Sequence, residues 1–198
     1  MEVMGPPFIL NTSSVKYLYR PFQLSLYPEK GAMDHDFFMG KALQEAQKAL
    51  LSNEFPVGCV VVSDNRVIAT GSRVGTADPT ANELDHAEMV ALRQLNELNH
   101  GQDPSGMTLY ATMEPCLMCF GAILINRIGK IVYAYEDIMG GGTACAIAAM
   151  PALYKNSKIS IISNVLRKES LELFKAFFSD PKNTYWQKSL LAEYTLSQ

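Results

Sequence analysis

His86-Ala87-Glu88 and, further along, Pro115-Cys116-Leu117-Met118-Cys119 are the stretches on which the reading of this chain turns. Together they offer one imidazole nitrogen and two thiolates. Zinc prefers such ligands and takes four of them. Closed structural sites fill all four positions with protein, whereas catalytic sites use three and leave the fourth to water. His86, Cys116 and Cys119 supply three, with no credible fourth in the sequence, so one zinc ion per chain with an open position is expected. Glu88 is too near His86 to be an easy fourth ligand, but it is well placed to carry the proton of a bound water. Two simpler readings stand beside this one. A Cys-x-x-Cys pair also serves redox chemistry, and Asp85 with Glu88 has the spacing of a capping box. His35 and His100 sit at predicted helix ends in polar company and read as surface residues. Cys59 lies in an apolar strand run, where a thiol behaves as a small hydrophobe, and Cys145 follows a glycine loop. Neither is expected to bind metal.

Around these motifs the pattern is regular. Cys116 and Cys119 open a helix predicted over 116–126, where their spacing puts them on one face. The helix N-terminus favours the thiolate, and Pro115 suits its first turn. A helix predicted over 85–99 carries His86 and Glu88. Apolar, β-branched runs at 57–62 and 67–71, joined by Asp64-Asn65, read as a hairpin, with further strands at 107–112, 130–135 and 159–163. Helical spacing marks 34–51, capped by Asp34 or Asp36, and also 167–178. A short helical piece runs through Ala149, and 185–194 could add another helix. Strands alternating with helices imply a largely parallel sheet covered on both faces. The expected fold class is α/β: a three-layer α/β/α domain with a five-stranded mixed sheet. The chain divides into an apolar N-terminal extension over 1–33, a domain over 34–180 and a C-terminal helical tail over 181–198.

With 198 residues the chain fits one domain of ordinary size. It has no apolar run long enough to span a bilayer, and no basic start followed by an apolar stretch. Four cysteines, two of them in a metal motif, point to a reducing compartment, the cytoplasm by default. The net charge of −3 and the lack of any basic run argue against a large electrostatic footprint for nucleic acid. Arg73, Arg127, Lys155 and Lys158 are the candidate phosphate contacts, and each reads equally well as a solvated charge.

His-x-Glu followed by Pro-Cys-x-x-Cys is the signature of the zinc nucleobase deaminases. Over about residues 34–180 the chain resembles the zinc-dependent cytidine/deoxycytidylate deaminase superfamily, with the closest resemblance to the bacterial tRNA adenosine deaminases. Besides the two motifs, the resemblance is carried by Phe55-Pro56-Val57-Gly58, Asp78-Pro79-Thr80-Ala81, Leu109-Tyr110-Ala111-Thr112-Met113-Glu114, and Gly121-Ala122-Ile123 running to Asn126-Arg127-Ile128-Gly129. It implies a hydrolase that converts adenosine to inosine and releases ammonia, with Glu88 as the catalytic residue and His86, Cys116 and Cys119 on the zinc. It also implies a homodimer whose subunits meet beside the active sites. Substrate contacts are implied at Val57, Ser72, Ala87, Pro115 and Asp137. Of these, Pro115 would hold the departing amino group through its carbonyl, and the Ala87 backbone would lie against the base. Asp137 aligns with an acidic residue near the bound nucleotide, although a turn-capping aspartate is an equal reading.

The chain departs from the family pattern at three places. Ser72 stands where the family has an asparagine that hydrogen-bonds the base. Asn82-Glu83-Leu84-Asp85 separates Asp-Pro-Thr-Ala from His-Ala-Glu, which the family joins directly. Residues 180–186 and an apolar tail replace a basic last helix. All three fall on substrate choice. A deaminase of a free nucleobase or nucleoside, such as guanine, cytosine or adenine, is therefore the alternative to tRNA as substrate. A catalytically silent partner subunit is a third reading, against which the intact Glu88 speaks.

Overall fold

The structure, a computed structural model, describes residues 34–77, 82–98 and 101–198. The expected extension over 1–33 lies outside the described residues, as does His100. Among the described residues, five strands and five α-helices follow one another in the order α1 (His35–Leu51), β1 (Gly58–Ser63), β2 (Arg66–Ser72), α2 (Ala87–Leu98), β3 (Thr108–Met113), α3 (Leu117–Ile125), β4 (Lys130–Tyr135), β5 (Ser160–Ile162), α4 (Arg167–Ser179) and α5 (Leu190–Ser197). Hydrogen bonding orders the sheet β2-β1-β3-β4-β5. β1 runs antiparallel to both its neighbours, and β3, β4 and β5 are parallel. The mixed five-stranded α/β fold predicted from the sequence is the fold observed.

Strand alternation divides the core in two. Val60, Val62, Tyr110, Val132 and Ala134 face α1, where Phe38, Met39, Ala42 and Leu43 meet them. Cys59, Val61, Leu109, Ala111 and Ile131 point the other way, toward Ala91, Leu92 and Leu95 of α2 and Phe120 and Ile123 of α3. Two glycines let these layers close. A Cβ at Gly58 would stand 2.2 Å from the Ala42 carbonyl oxygen of α1, and one at Gly71 would stand 2.0 Å from the Ala87 carbonyl oxygen of α2. Only a residue without a side chain lets the helices approach so near.

The capping predicted for α1 is the one formed: Asp34 accepts the Phe37 N–H at 2.9 Å. At α2 the capping-box reading fails. Asp85 instead accepts hydrogen bonds from Arg93 and from Asn82 Nδ2, the helix begins at Ala87, and Glu88 is buried. His35 is not a plain surface residue either, because its ring nitrogen bonds the Tyr110 hydroxyl at 2.8 Å. The last helix starts five residues later than 185, at Leu190. Trp186 and Lys188 take left-handed backbone angles, φ 52° and 64°, which interrupt any helix there, and Ser189 then caps α5 through the Ala192 N–H. Leu191 and Ala192 of α5 join the core. Among the described residues no helix is long and apolar enough to cross a membrane.

Candidate active site

Register places the site. Gly58 pairs with Ser72, Cys59 with Ala111, and Met113 with Tyr135. The start of β1, the end of β2 and the carboxyl ends of β3 and β4 therefore all emerge at one end of the sheet. That is where open α/β sheets bind their ligands. α2 and α3 both begin at this end. His86 precedes the first residue of α2, Cys116 is the N-cap of α3, and Cys119 lies in that helix's first turn.

The two helix starts bring the sequence motifs together. His86 Nδ1 lies 3.5 Å from each of the Cys116 and Cys119 sulfurs. The three candidate ligand atoms lie within 4.8 Å of one another, the one such group of His, Cys, Asp and Glu found among the described residues. Zinc–nitrogen and zinc–sulfur bonds at a tetrahedral angle separate their ligand atoms by about 3.5 Å, so the group could hold such an ion. Cys116 is drawn down to about 4, first by the hydrogen bond from Cys119 and also by His86. Cys119 is pushed up as the other half of that pair and by burial. Neither Cys59, fully buried in β1, nor Cys145 belongs to the group.

Glu88 is buried beside these ligands. Its Oε2 is the one buried side-chain oxygen or nitrogen without a hydrogen-bond partner among the described residues. Burial raises its pKa to about 7. A buried carboxyl oxygen left unsatisfied is costly, and sites that do chemistry tolerate such costs.

A cavity opens over the group, lined by Phe55, Val57, Arg73, His86, Ala87, Glu88, Met113, Glu114, Cys116, Asp137, Gly140, Tyr185 and Trp186. Of the substrate contacts expected from sequence, Val57, Ala87 and Asp137 line it. Pro115 is buried next to Cys116, and its carbonyl accepts the Gly142 N–H at 2.8 Å. Asp137 also satisfies its plainer reading, since Oδ1 accepts the Met139 and Gly140 N–H groups. Ser72 does not line the cavity. Its hydroxyl turns to α1, 3.0 Å from Glu45 Oε2 and 3.1 Å from the Glu45 carbonyl. Consecutive residues of a strand face opposite sides, and Arg73, the next residue, takes the cavity side. Arg73 is 2% exposed, so it is no surface phosphate contact.

Phe55, Met113, Glu114, Gly140, Tyr185 and Trp186 also line the cavity and had no site role in the sequence reading. Glu114 braces the glycine loop, accepting from the Thr143 N–H and hydroxyl and from the Asp137 N–H. Phe55 is the hub of an aromatic cluster, its ring 5.2–5.9 Å from those of Phe174, Phe177, Phe178, Tyr185 and Trp186. Tyr185 and Trp186 stack at 5.1 Å and carry the segment beyond residue 180 into the site.

Residues 33–178 match the sequence model of the MafB19-like deaminases. The chain belongs to that family. This deaminase is 30% identical over 145 residues to the tRNA-specific adenosine deaminase of Streptococcus pyogenes serotype M18 (strain MGAS8232), a match covering 73% of this chain and 90% of the relative. It is likewise 30% identical over 145 residues to the tRNA-specific adenosine deaminase of Bacillus subtilis (strain 168), covering 89% of that protein. A structure solved in work on A-to-I editing by tRNA:A34 deaminases at the wobble position superposes with a TM-score of 0.55 and 32% identity, over 69% of this chain and 97% of the other. A mutant protein in complex with 8-azaguanine superposes at 0.58 with 22% identity, over 72% and 82% of the two chains, and shares the fold. The MafB19-like chain is thus a hydrolytic deaminase that cleaves a C–N bond.

Proposed function

We propose that this deaminase converts adenosine in tRNA to inosine, with zinc held by His86, Cys116 and Cys119 and with Glu88 moving the protons. The observation that carries the chemistry is the unpartnered, buried Glu88 Oε2 beside a histidine and two thiols at tetrahedral spacing. Zinc bound there supplies Lewis acidity and makes water a nucleophile at neutral pH. Glu88 takes a proton from the attacking water and delivers it to the ring nitrogen next to the amino-bearing carbon. It then assists the second proton onto the departing ammonia, so that adenosine and water balance inosine and ammonia. The Pro115 carbonyl, aimed by its bond from Gly142, orients the amino group. The Ala87 backbone, Val57 and Asp137 bound the space for the base.

The tRNA assignment rests on relatives that match this chain over most of their own length. Such a substrate must leave its stack to enter the cavity, and the aromatic faces of Tyr185 and Trp186 suit a flipped base. A free nucleobase or nucleoside is the second reading. It is favoured by the net charge of −3 and by the burial of Arg73 away from phosphate. A salt series separates the two. Turnover of an anticodon stem-loop should fall steeply with salt, through lost phosphate contacts, while turnover of a free base should barely change. Turnover of free bases with none on the stem-loop overturns the tRNA reading.

A second copy of the chain is the proposed partner. Helix α3 carries no charged residue, and its Leu117 and Ile125 are 61% and 53% exposed, with open space at Gly121 between them. Ile138 and Met139, on the loop after β4, are exposed as well. Apolar faces of this kind mark association surfaces. A thiolate metal site of this kind suits a reducing compartment, and the cytoplasm is the proposed location.

A further inference from the structure

Two of the three places where the sequence departs from its family, the inserted residues and the segment beyond 180, meet at one cluster in the cavity wall, next in sequence to the third, Ser72. Arg73 follows Ser72 at the end of β2. Its Nη1 donates to the Asn82 carbonyl at 2.6 Å and to the Val74 carbonyl at 3.0 Å. Its Nη2 donates to Glu83 Oε2 at 3.2 Å. Asn82 and Glu83 belong to the four residues that separate Asp-Pro-Thr-Ala from His-Ala-Glu. Tyr185, from the segment that replaces a basic helix, donates its hydroxyl to the same Glu83 oxygen at 2.9 Å. The Tyr185 ring lies under the Arg73 guanidinium, 5.9 Å from its centre. Glu83 Oε2 also stands 4.0 Å from His86 Nε2, which ties the cluster to the metal-competent group.

The partners of Arg73 are unequal. The guanidinium is buried, whereas Glu83 is 53% exposed. An exposed carboxylate finds compensating partners in water when it lets go, but a buried guanidinium needs an acceptor in its place. Guanidinium nitrogens only donate. On the proposed reading, adenine commits its amino group to the reaction and its adjacent ring nitrogen to Glu88. Its remaining ring heteroatoms on the purine edges, N3 and N7, are acceptors.

We propose that Arg73 is the specificity-determining residue of this pocket, donating to an acceptor nitrogen of the purine, with Glu83 holding the guanidinium until the base displaces it. This rests on the deaminase reading of the site. It also gives the insertion and the C-terminal segment a common role. The inserted Glu83 and the C-terminal Tyr185 both contact the one buried arginine.

Trp186 is the single tryptophan of the chain and lines the cavity, so its fluorescence reports occupancy without relying on turnover. The zinc-loaded protein is titrated with adenosine, 3-deazaadenosine, 7-deazaadenosine and cytidine, and ammonia is measured in the same samples. Wild type should bind adenosine and lose roughly ten- to hundredfold in affinity for one of the two deaza analogues, the cost of a lost hydrogen bond to a charged group. Arg73→Lys should weaken adenosine binding and shrink that penalty. Glu83→Gln, which weakens the competing acceptor, should tighten adenosine binding. If Arg73 only staples the loop, both variants lower thermal stability and the deaza analogues bind like adenosine. Equal affinity for adenosine and both analogues, weaker binding in Glu83→Gln, or a response to cytidine alone overturns the proposal. Acceptor-dependent binding without ammonia release counts instead against deamination of that nucleoside and leaves the role of Arg73 standing.

Discussion

Gly71→Ala tests whether the approach of β2 to α2 sets the site. The new methyl would lie 2.0 Å from the Ala87 carbonyl oxygen and 2.8 Å from the Ala91 nitrogen, both backbone atoms that cannot swing aside. Reaching ordinary contact at 3.4 Å requires the start of α2 to retreat by about 1.4 Å. His86 and Glu88 flank Ala87 and must travel with it, away from Cys116 and Cys119. Metal sites hold ligand distances to roughly 0.2 Å, so a shift of this size exceeds what the site absorbs. Overpacking of this kind costs about 1–3 kcal/mol, a fall of roughly 2–12 °C in melting temperature for a domain of this size. Misplacing a catalytic group by about 1 Å costs on the order of a hundredfold in rate. The assay is zinc content after dialysis, melting temperature and ammonia release. Gly106→Ala, whose methyl meets nothing within 4 Å, is the matched control and should behave as wild type. A Gly71→Ala protein with wild-type zinc content and turnover would mean that the approach of β2 to α2 does not set the site.

Cys119→Ala should lose bound zinc while Cys59→Ala retains it, read by metal analysis of the purified proteins; equal zinc in both would break the ligand assignment. Glu136 is held down to about 2, first by the Arg167 hydrogen bonds and then by Tyr194. Its depressed pKa means that the stability it contributes is complete above the ordinary value of 4.5 and disappears as pH falls toward 2. Both partners are at least a quarter exposed, so Glu136→Gln should cost about 1 kcal/mol near neutrality. Melting curves of the two proteins should converge in acid, and a gap that widened instead would reverse the sign. Leu117→Lys or Ile125→Glu should turn a dimer into a monomer in sedimentation runs; an unchanged mass would remove α3 from the interface.

The metal-competent group was legible in the sequence because its ligands are set by short local spacings, and the helix starts that carry them are local too. The sheet followed from alternation of strands and helices. What stayed hidden depends on direction or on distant packing. Ser72 and Arg73 are neighbours, and only the strand's facing decides which of them meets the cavity. Phe55 reads as one apolar residue before a proline, yet it gathers rings from α4 and from 185–186. Residues 185–194 read as one helix, and the sequence does not reveal the left-handed angles at Trp186 and Lys188 that delay its start to Leu190. Glu83 reads only as part of an insertion, because its partner Arg73 comes from another element.

Ammonia release by zinc-loaded wild type and Glu88→Ala, on an anticodon stem-loop with inosine counted in the product, tests whether Glu88 moves the protons of deamination. Wild type should release one ammonia per inosine formed. Glu88→Ala should keep its zinc and its fold yet lose on the order of a hundred- to ten-thousandfold in rate. A zinc-replete Glu88→Ala protein that still turned over at the wild-type rate would mean that Glu88 is not the proton carrier.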